Sequence, residues 1–123
     1  MPAIDFEARR SWFVDHLSGL QRVGTQIVCA FDADGAMAGF VTVDPASGYL
    51  DQLAVAPWYW GGGAATQLLD EAKRRAPAAI ALEVNQDNPR AVAFYEKNGF
   101  ARAGESVNPR SGLKTWRYYW RGP

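Results

Sequence analysis

Three consecutive glycines, Gly61, Gly62 and Gly63, separate a predicted strand that ends at Val55 from a predicted helix that begins near Ala65. Glycine has no Cβ, so a ligand can approach the backbone closely at such a junction. The first turn of the helix adds unpaired N–H groups and the positive end of the helix dipole, which favour an anion. The junction therefore predicts a phosphate site, although a glycine loop without a ligand fits this run alone equally well. It matches neither the Walker A pattern nor the GxGxxG pattern.

Two side chains in the following segment, Glu83 and Tyr95, could take part in proton transfer or hydrogen bonding. A carboxylate can accept a proton from a nucleophile, and a phenol can donate a hydrogen bond to an anion that forms during a reaction. Both residues also have ordinary structural interpretations. Glu83 could pair with Arg90 or Arg102 at the end of a strand, and Tyr95 could be a core residue on one helix face.

The elements that must position these side chains follow from periodicity and from helix and turn signals. Asn88 is a typical N-cap, Pro89 suits the first helical position, and Gly99 follows the last turn. Alternating apolar residues predict strands, and apolar spacings of three and four predict helices. The predicted elements are a helix at residues 5–20, strands at 25–31, 37–43 and 49–55, a helix at 65–76, a strand at 78–84, a helix at 89–98, and strands at 101–107 and 113–120. This order predicts a mixed sheet with helices on its faces.

Composition places the chain among ordinary globular domains. It has 123 residues, of which 48% are hydrophobic and 21% charged, and one cysteine, Cys29. These values exclude a disordered chain, a disulfide framework and a metal site built on cysteine pairs. No apolar run approaches the ~20 residues of a membrane-spanning helix, and no signal peptide is recognisable at the start. We therefore expect one domain at residues 1–123 in a cytoplasmic protein, with no membrane partner.

The net charge is zero, but the acidic and basic residues are unevenly distributed along the chain. There are three basic and nine acidic residues up to position 71, and ten basic and four acidic residues beyond it. A basic half could face an anionic ligand, although two oppositely charged solvated surfaces are the simpler interpretation. Since the chain has no helix-turn-helix, zinc-finger or RNP-type aromatic pattern, nucleic acid is not an expected partner.

Two motifs together resemble the GCN5-related N-acetyltransferase (GNAT) family. The Val-x-Pro-x-x-x-Gly-x-Gly-x-Ala pattern at residues 55–65 is similar to the family's acetyl-CoA pyrophosphate loop. A strand, an Asn-capped helix and the ending Phe-Tyr-Glu-Lys-x-Gly-Phe at residues 82–100 are similar to a second family motif, in the expected order. The resemblance covers residues 49–100 and implies an acetyl-CoA-binding core there. It also implies the family's α/β fold, a mixed and largely antiparallel sheet with helices on both faces.

The resemblance implies which residues bind acetyl-CoA. Backbone amides of the glycine loop and first helical turn would hold the pyrophosphate. The strand before the loop would splay open, and its backbone would pair with the pantetheine arm and polarise the thioester carbonyl. The cap of the second helix would contact the same arm. The implied cofactor-binding residues are Leu53, Ala54, Val55, Trp60, Gly61, Gly62, Gly63, Ala64, Ala65 and Asn88.

The resemblance also gives Tyr95 and Glu83 catalytic roles. Tyr95 matches the family tyrosine beside the sulfur, where its hydroxyl would donate a hydrogen bond to the departing thiolate. Glu83 stands where some protein-acetylating members have a general base. Asp51, on the strand that leads to the loop, is the rival base, and many members use a chain of water molecules instead.

The implied function is transfer of the acetyl group of acetyl-CoA to a primary amine by direct attack, without a metal. The amine would belong to a small molecule, a peptide N-terminus or a lysine. The alternative, from a different class, is an acyl-CoA-binding module without turnover. Two departures from the family matter. Trp60 replaces the usual Gln or Arg at the head of the loop. The resemblance also implies that the chain lacks the family's first strand and part of its first helix. That would leave a sheet edge to be covered by a homodimer or by the N-terminal segment, unless the start codon is misassigned.

Overall fold

The computed structural model of the protein describes residues 13–17 and 24–123. This part contains seven strands and two α-helices, and the short 3₁₀ helix Pro57–Tyr59 precedes the first α-helix. The elements are β1 (Phe13–Leu17), β2 (Gln26–Phe31), β3 (Met37–Val43), β4 (Leu50–Val55), α1 (Ala64–Arg75), β5 (Ala79–Asn85), α2 (Pro89–Lys97), β6 (Ala101–Val107) and β7 (Lys114–Arg121). The predicted mixed α/β fold is confirmed, and no described helix is long and apolar enough to cross a bilayer.

The N-terminal segment differs from the prediction. The prediction of a helix at residues 5–20 is wrong for residues 13–17, which form β1. This strand pairs antiparallel with β2, so that Phe13 lies opposite Phe31 and Leu17 opposite Ile27. Pairing satisfies the backbone groups of both strands, and this long-range gain outweighs a loose helical periodicity. The rest of the predicted helix lies outside the described residues. The strand position beside β2 that was expected to be vacant is therefore filled by β1.

The strands form two antiparallel sheets that separate from one another. One sheet has the order β1-β2-β3-β4 and the other the order β5-β7-β6. They meet where β4 and β5 begin, through a single parallel bridge between Tyr49 and Ala81. Gly48 allows this contact: its φ is +76°, and a Cβ at this position would lie 2.3 Å from the carbonyl oxygen of Ala79. Beyond the bridge β4 pairs only with β3, so a cleft opens between β4 and β5.

One apolar core joins residues of both sheets and both α-helices. Helix α1 contributes the buried residues Leu68, Leu69 and Ala72, as its periodicity predicts. They pack with buried side chains from both sheets, including Val41 and Ile80. Because α1 is held on the first sheet by this core, the position of its N-terminus beside the cleft is fixed.

A buried carboxylate connects the β2–β3 turn to the segment that precedes the glycine loop. Asp32 is fully buried, and its Oδ1 accepts hydrogen bonds from the N–H groups of Asp34 and Ala36 at 2.9 and 3.0 Å. Its Oδ2 accepts a hydrogen bond from the hydroxyl of Tyr59 at 2.5 Å. Tyr59 also packs with Ala38 and with Ala64 at the start of α1. The Asp32–Tyr59 hydrogen bond therefore positions the glycine loop relative to the β2–β3 turn.

A Tyr59→Phe substitution is expected to destabilise the protein by about 1.5–3 kcal/mol, the range for a hydrogen bond to a charged group. The ring remains, but the buried carboxylate of Asp32 loses a donor. Urea unfolding measures the loss, and Tyr119→Phe is the matched control because Tyr119 on β7 is 40% exposed. Equal midpoints for the two variants would contradict the role of this hydrogen bond.

Candidate active site

The cleft between β4 and β5 extends along β4 and α2 towards the glycine loop, and it contains two adjoining cavities. The larger, here the loop cavity, has a volume of about 620 Å³ and lies against the glycine loop. The smaller, here the strand cavity, has a volume of about 380 Å³ and lies between the two strands. The residues that line both cavities are Leu53, Ala54, Asn88, Ala91 and Tyr95. The two cavities thus form one continuous site that α2 borders along its length.

Most of the predicted cofactor-binding residues line the loop cavity. They are Leu53, Ala54, Val55, Trp60, Gly61, Gly63, Ala65 and Asn88. Gly62 and Ala64 are not in its lining, and the side chain of Ala64 is buried against Ala38 and Tyr59. The structure therefore brings together eight of the ten residues, while their binding of acetyl-CoA stays a prediction.

The backbone of the glycine loop leaves the start of α1 open to the cavity. Gly61 and Gly63 have φ values of +84° and +94°, a left-handed conformation that favours glycine. Gly63 is the N-cap of α1 and no side chain caps the helix. A Cβ on Gly61 would meet nothing within 4 Å. The first N–H groups of α1 are thus free of a capping side chain, as an anion site requires.

Asn88 has the structural role that the sequence predicts and keeps a donor for the site. Its Oδ1 accepts a hydrogen bond from the N–H of Ala91 at 3.2 Å, which caps α2. Its side-chain N–H₂ group has no partner among the described residues, and Asn88 lines both cavities. One side chain can therefore hold the helix and still donate to a ligand.

Tyr95 lies where the two cavities meet. It is only 7% exposed and packs edge-on against Phe94 and Phe100, with ring centroids 5.3 and 5.4 Å away. Burial raises the pKa of Tyr95 to about 12, so the phenol stays protonated at neutral pH. Within the described part of the chain, its hydroxyl makes no hydrogen bond. A buried neutral donor without a partner is available to a ligand in the cleft.

Glu83 and Asp51 line the strand cavity, on the other side of Tyr95 from the glycine loop. Glu83 Oε1 accepts a hydrogen bond from Thr115 Oγ1 at 2.7 Å. No pairing of Glu83 with Arg90 or Arg102 is found among the described residues. The pKa of Tyr49 is raised, first by burial and then by the negative charges of Glu83 and Asp51. The two carboxylates therefore have this neighbour in common. Both candidate bases therefore face one region.

The charges that line the cleft are separated by sign. Arg90 and Lys97 are the charged residues in the lining of the loop cavity, and Asp51 and Glu83 are those in the lining of the strand cavity. Tyr95 lies between the two sets. This arrangement suits a ligand with phosphates in the loop cavity and a cation in the strand cavity, with the phenol near their junction. The described residues contain no group of three or more potential metal ligands.

The sequence motifs do not identify several of the residues that line the loop cavity. Arg90, Phe94 and Lys97 lie in its lining, as does Thr66 in the first turn of α1. A signal was present for three of them, since positions 90, 94 and 97 have the i, i+4, i+7 spacing of one helix face. Thr66 follows the predicted loop residues directly. The helix face beside the motif residues is thus as informative as the motif itself.

Comparisons with known proteins agree with this geometry. The sequence matches the Acetyltransferase (GNAT) family over residues 4–100. N-alpha-acetyltransferase 30 from Schizosaccharomyces pombe is 38% identical over 79 residues, which cover 61% of this chain and 47% of that protein. This chain therefore spans about half the length of that relative.

Solved structures show the same fold. A spermidine/spermine N-acetyltransferase from Vibrio cholerae has a TM-score of 0.75 at 17% identity and matches over 95% of both chains. Nourseothricin acetyltransferase has a TM-score of 0.73 at 24% identity, over 81% of this chain and 66% of that chain. At these sequence identities, the structural similarity shows only a shared fold. Because the family match extends over well more than half of the chain and includes the loop, both helices and Tyr95, the protein belongs to the GNAT acetyltransferase family.

Proposed function

We propose that the protein transfers the acetyl group of acetyl-CoA to a primary amine by direct attack. The observation that carries this proposal is the separation of charge along the cleft. Arg90 and Lys97 lie on the side of the glycine loop, Asp51 and Glu83 lie on the other side, and Tyr95 lies between them. A polyanionic cofactor and a cationic amine would be attracted to opposite ends of one site.

The loop cavity would hold the cofactor. The N–H groups at the start of α1 would bind the pyrophosphate, and the open backbone edge of β4 would pair with the pantetheine arm. The thioester would then lie near Tyr95, where β4 and α2 border both cavities. The predicted cofactor-binding residues retain their proposed roles, with Ala64 acting through its backbone amide, except for the amides of Trp60 and Gly62. Those two N–H groups already donate to the carbonyl oxygens of Pro57 and Tyr59, each at 3.1 Å.

Glu83 or Asp51 would attract the protonated amine and accept its proton, directly or through water. The neutral nitrogen then attacks the thioester carbonyl carbon to give a tetrahedral adduct. The carbon–sulfur bond breaks with its electron pair on sulfur, and the second proton of the nitrogen passes to water or to the thiolate, which leaves a neutral amide and free CoA. Tyr95 would donate a hydrogen bond to that thiolate. It would not protonate the sulfur, because a thiol titrates near 8.5 whereas the pKa of Tyr95 is about 12.

A screen of amines for release of free CoA thiol tests the proposal. The acceptors to include first follow from the names of the relatives: peptides with a free N-terminus, and spermidine and spermine. Lysine-containing peptides with a blocked N-terminus complete the set. CoA binding without thiol release for any amine would favour the alternative, an acyl-CoA-binding module without turnover.

Glu83→Gln is expected to lower turnover most at low pH and to recover at high pH, where the amine deprotonates without help. The pH–rate profile with the acceptor found in the screen measures this. Asp51→Asn tests the rival base in the same way. Glu105→Gln is the matched control, because Glu105 is an exposed carboxylate on β6 outside both cavities. A wild-type profile for both cavity variants would leave water as the base.

The remaining expectations about the setting of the protein are also proposals. They comprise a cytoplasmic location, use of acetyl-CoA without a metal, no binding of nucleic acid, and a homodimer. The vacant strand position that argued for a dimer is filled by β1. The strand that still favours a dimer is β6, an outer strand of the second sheet whose residues are almost all exposed. An outer strand of this kind can pair with a second copy.

A further inference from the structure

We propose that Arg90 binds a phosphate of the acyl-CoA and that Trp60 holds its guanidinium in place. This inference rests on the proposed function, since it concerns the same ligand. Trp60 replaces the Gln or Arg expected at the head of the glycine loop, so the loop has no side-chain donor of that kind. The structure assigns the missing contact to the opposite wall of the loop cavity, on the first turn of α2.

The position of Trp60 is set by its own hydrogen bond. Its indole Nε1–H donates to the carbonyl oxygen of Val55 at 2.8 Å, which fixes the ring against the end of β4. The ring is nevertheless 47% exposed and lines the loop cavity. Trp60 thus presents an aromatic surface at the mouth of the cavity without using its only polar group there.

The guanidinium of Arg90 lies over this surface. Its Cζ is 4.1 Å from the centre of the Trp60 ring. A cation–π contact of this kind holds the guanidinium over the ring without using its N–H groups as hydrogen-bond donors to a carboxylate. An arginine held in this way loses less conformational entropy when it binds an anion, because its position is already restricted.

The electrostatic surroundings leave Arg90 available for an anion. No described carboxylate pairs with it, and no acidic residue is in the lining of the loop cavity. Arg102 has the same stacked arrangement, 4.0 Å over Trp116, but it hydrogen-bonds the hydroxyl of Tyr118 and lies 3.8 Å from Glu96. Of these two stacked arginines, only Arg90 faces a cavity without a carboxylate.

The chemistry that suits this site is a phosphate between the loop amides and Arg90. The guanidinium matches two phosphate oxygens at once, which a backbone amide cannot do. Acyl-CoA has a diphosphate and a 3′-phosphate, and both have this chemistry. Dephospho-CoA, which lacks only the 3′-phosphate, distinguishes them.

Isothermal titration calorimetry with CoA tests the inference. Arg90→Ala is expected to weaken CoA binding at least tenfold, or about 1.4 kcal/mol, and Arg90→Lys to weaken it less. Arg102→Ala is the matched control, since it removes a stacked arginine outside both cavities. An equal tenfold loss with dephospho-CoA assigns Arg90 to the diphosphate, and a loss confined to CoA assigns it to the 3′-phosphate.

The dependence of binding on salt separates a charge contact from lost packing. The affinity of the wild-type protein should fall more steeply with NaCl concentration than that of Arg90→Ala. Equal salt dependence would overturn the inference, as would CoA affinity of Arg90→Ala within twofold of wild type, and in both cases the proposed function would stand. If the wild-type protein does not bind CoA at all, the proposed function and the inference both fail.

Discussion

An Ala65→Asp substitution is expected to lower the affinity for CoA at least a hundredfold, about 2.7 kcal/mol. Ala65 lies in the first turn of α1 and lines the loop cavity. A carboxylate there would repel the pyrophosphate at the site where the loop amides should hold it. The position is preferable to Gly63, whose φ of +94° would make any side chain strain the backbone. An acidic residue in a first helical turn is favourable, so the fold should be retained.

Ala65→Asn is the matched control for this substitution. Asparagine has nearly the shape of aspartate without its charge, so it reproduces any steric effect in the cavity. Calorimetric titration of both variants with CoA, together with their thermal unfolding, separates charge from shape and from folding. If folded Ala65→Asp binds CoA as tightly as Ala65→Asn, the phosphate does not lie at the start of α1.

Tyr95→Phe is expected to reduce turnover tenfold to a thousandfold and to leave CoA affinity within twofold of wild type. The ring keeps its packing between Phe94 and Phe100, and only the hydroxyl is removed. A hydrogen bond that strengthens as charge forms on sulfur affects the transition state and not the bound ground state. The stability of the variant should not fall, because the hydroxyl has no partner among the described residues.

Steady-state kinetics with an acceptor from the amine screen measure this effect, and Tyr119→Phe is again the control. Since the pKa of Tyr95 is raised to about 12, its hydroxyl stays protonated throughout the range from pH 6 to 10. The variant should therefore have a pH–rate profile of the same shape as the wild type, at a lower level. Wild-type turnover by Tyr95→Phe would show that the role implied by the family resemblance is wrong.

Much of the fold follows from local signals in the sequence. Asn88 and Pro89 define the start of α2, and the apolar spacing of α1 predicts its buried face. These signals act within one or two turns of chain, so a single sequence contains them. The conformation of β1 depends on its pairing with β2, so the local periodicity at these residues predicts a helix and not the strand. The opening between β4 and β5 is implied by the family resemblance and not by local patterns, since it depends on how two strands that are distant in sequence lie beyond the bridge between Tyr49 and Ala81.

The site shows the same division. The glycine loop, Asn88 and Tyr95 are recognisable because each belongs to a contiguous motif. The contact of Arg90 with Trp60 joins residues 30 positions apart in sequence, across the cleft. The shared cavity of Asp51 and Glu83 joins two strands in different sheets. The packing of both sheets on α1 decides which walls of the cleft face each other. No spacing in the sequence encodes the distance between those walls.

The hydrogen bond between Asp32 and Tyr59 has a consequence for how the sequence can evolve. Asp32 organises the β2–β3 turn, whereas Tyr59 immediately precedes the residues that should bind the cofactor. A homologue that loses the carboxylate at position 32 would leave the phenol without this acceptor, and one that loses the phenol would leave a buried charge with one donor fewer. The two positions should therefore covary, as acid with tyrosine or as an apolar pair. A turn outside both cavities is in this way constrained by the loop proposed to bind the cofactor.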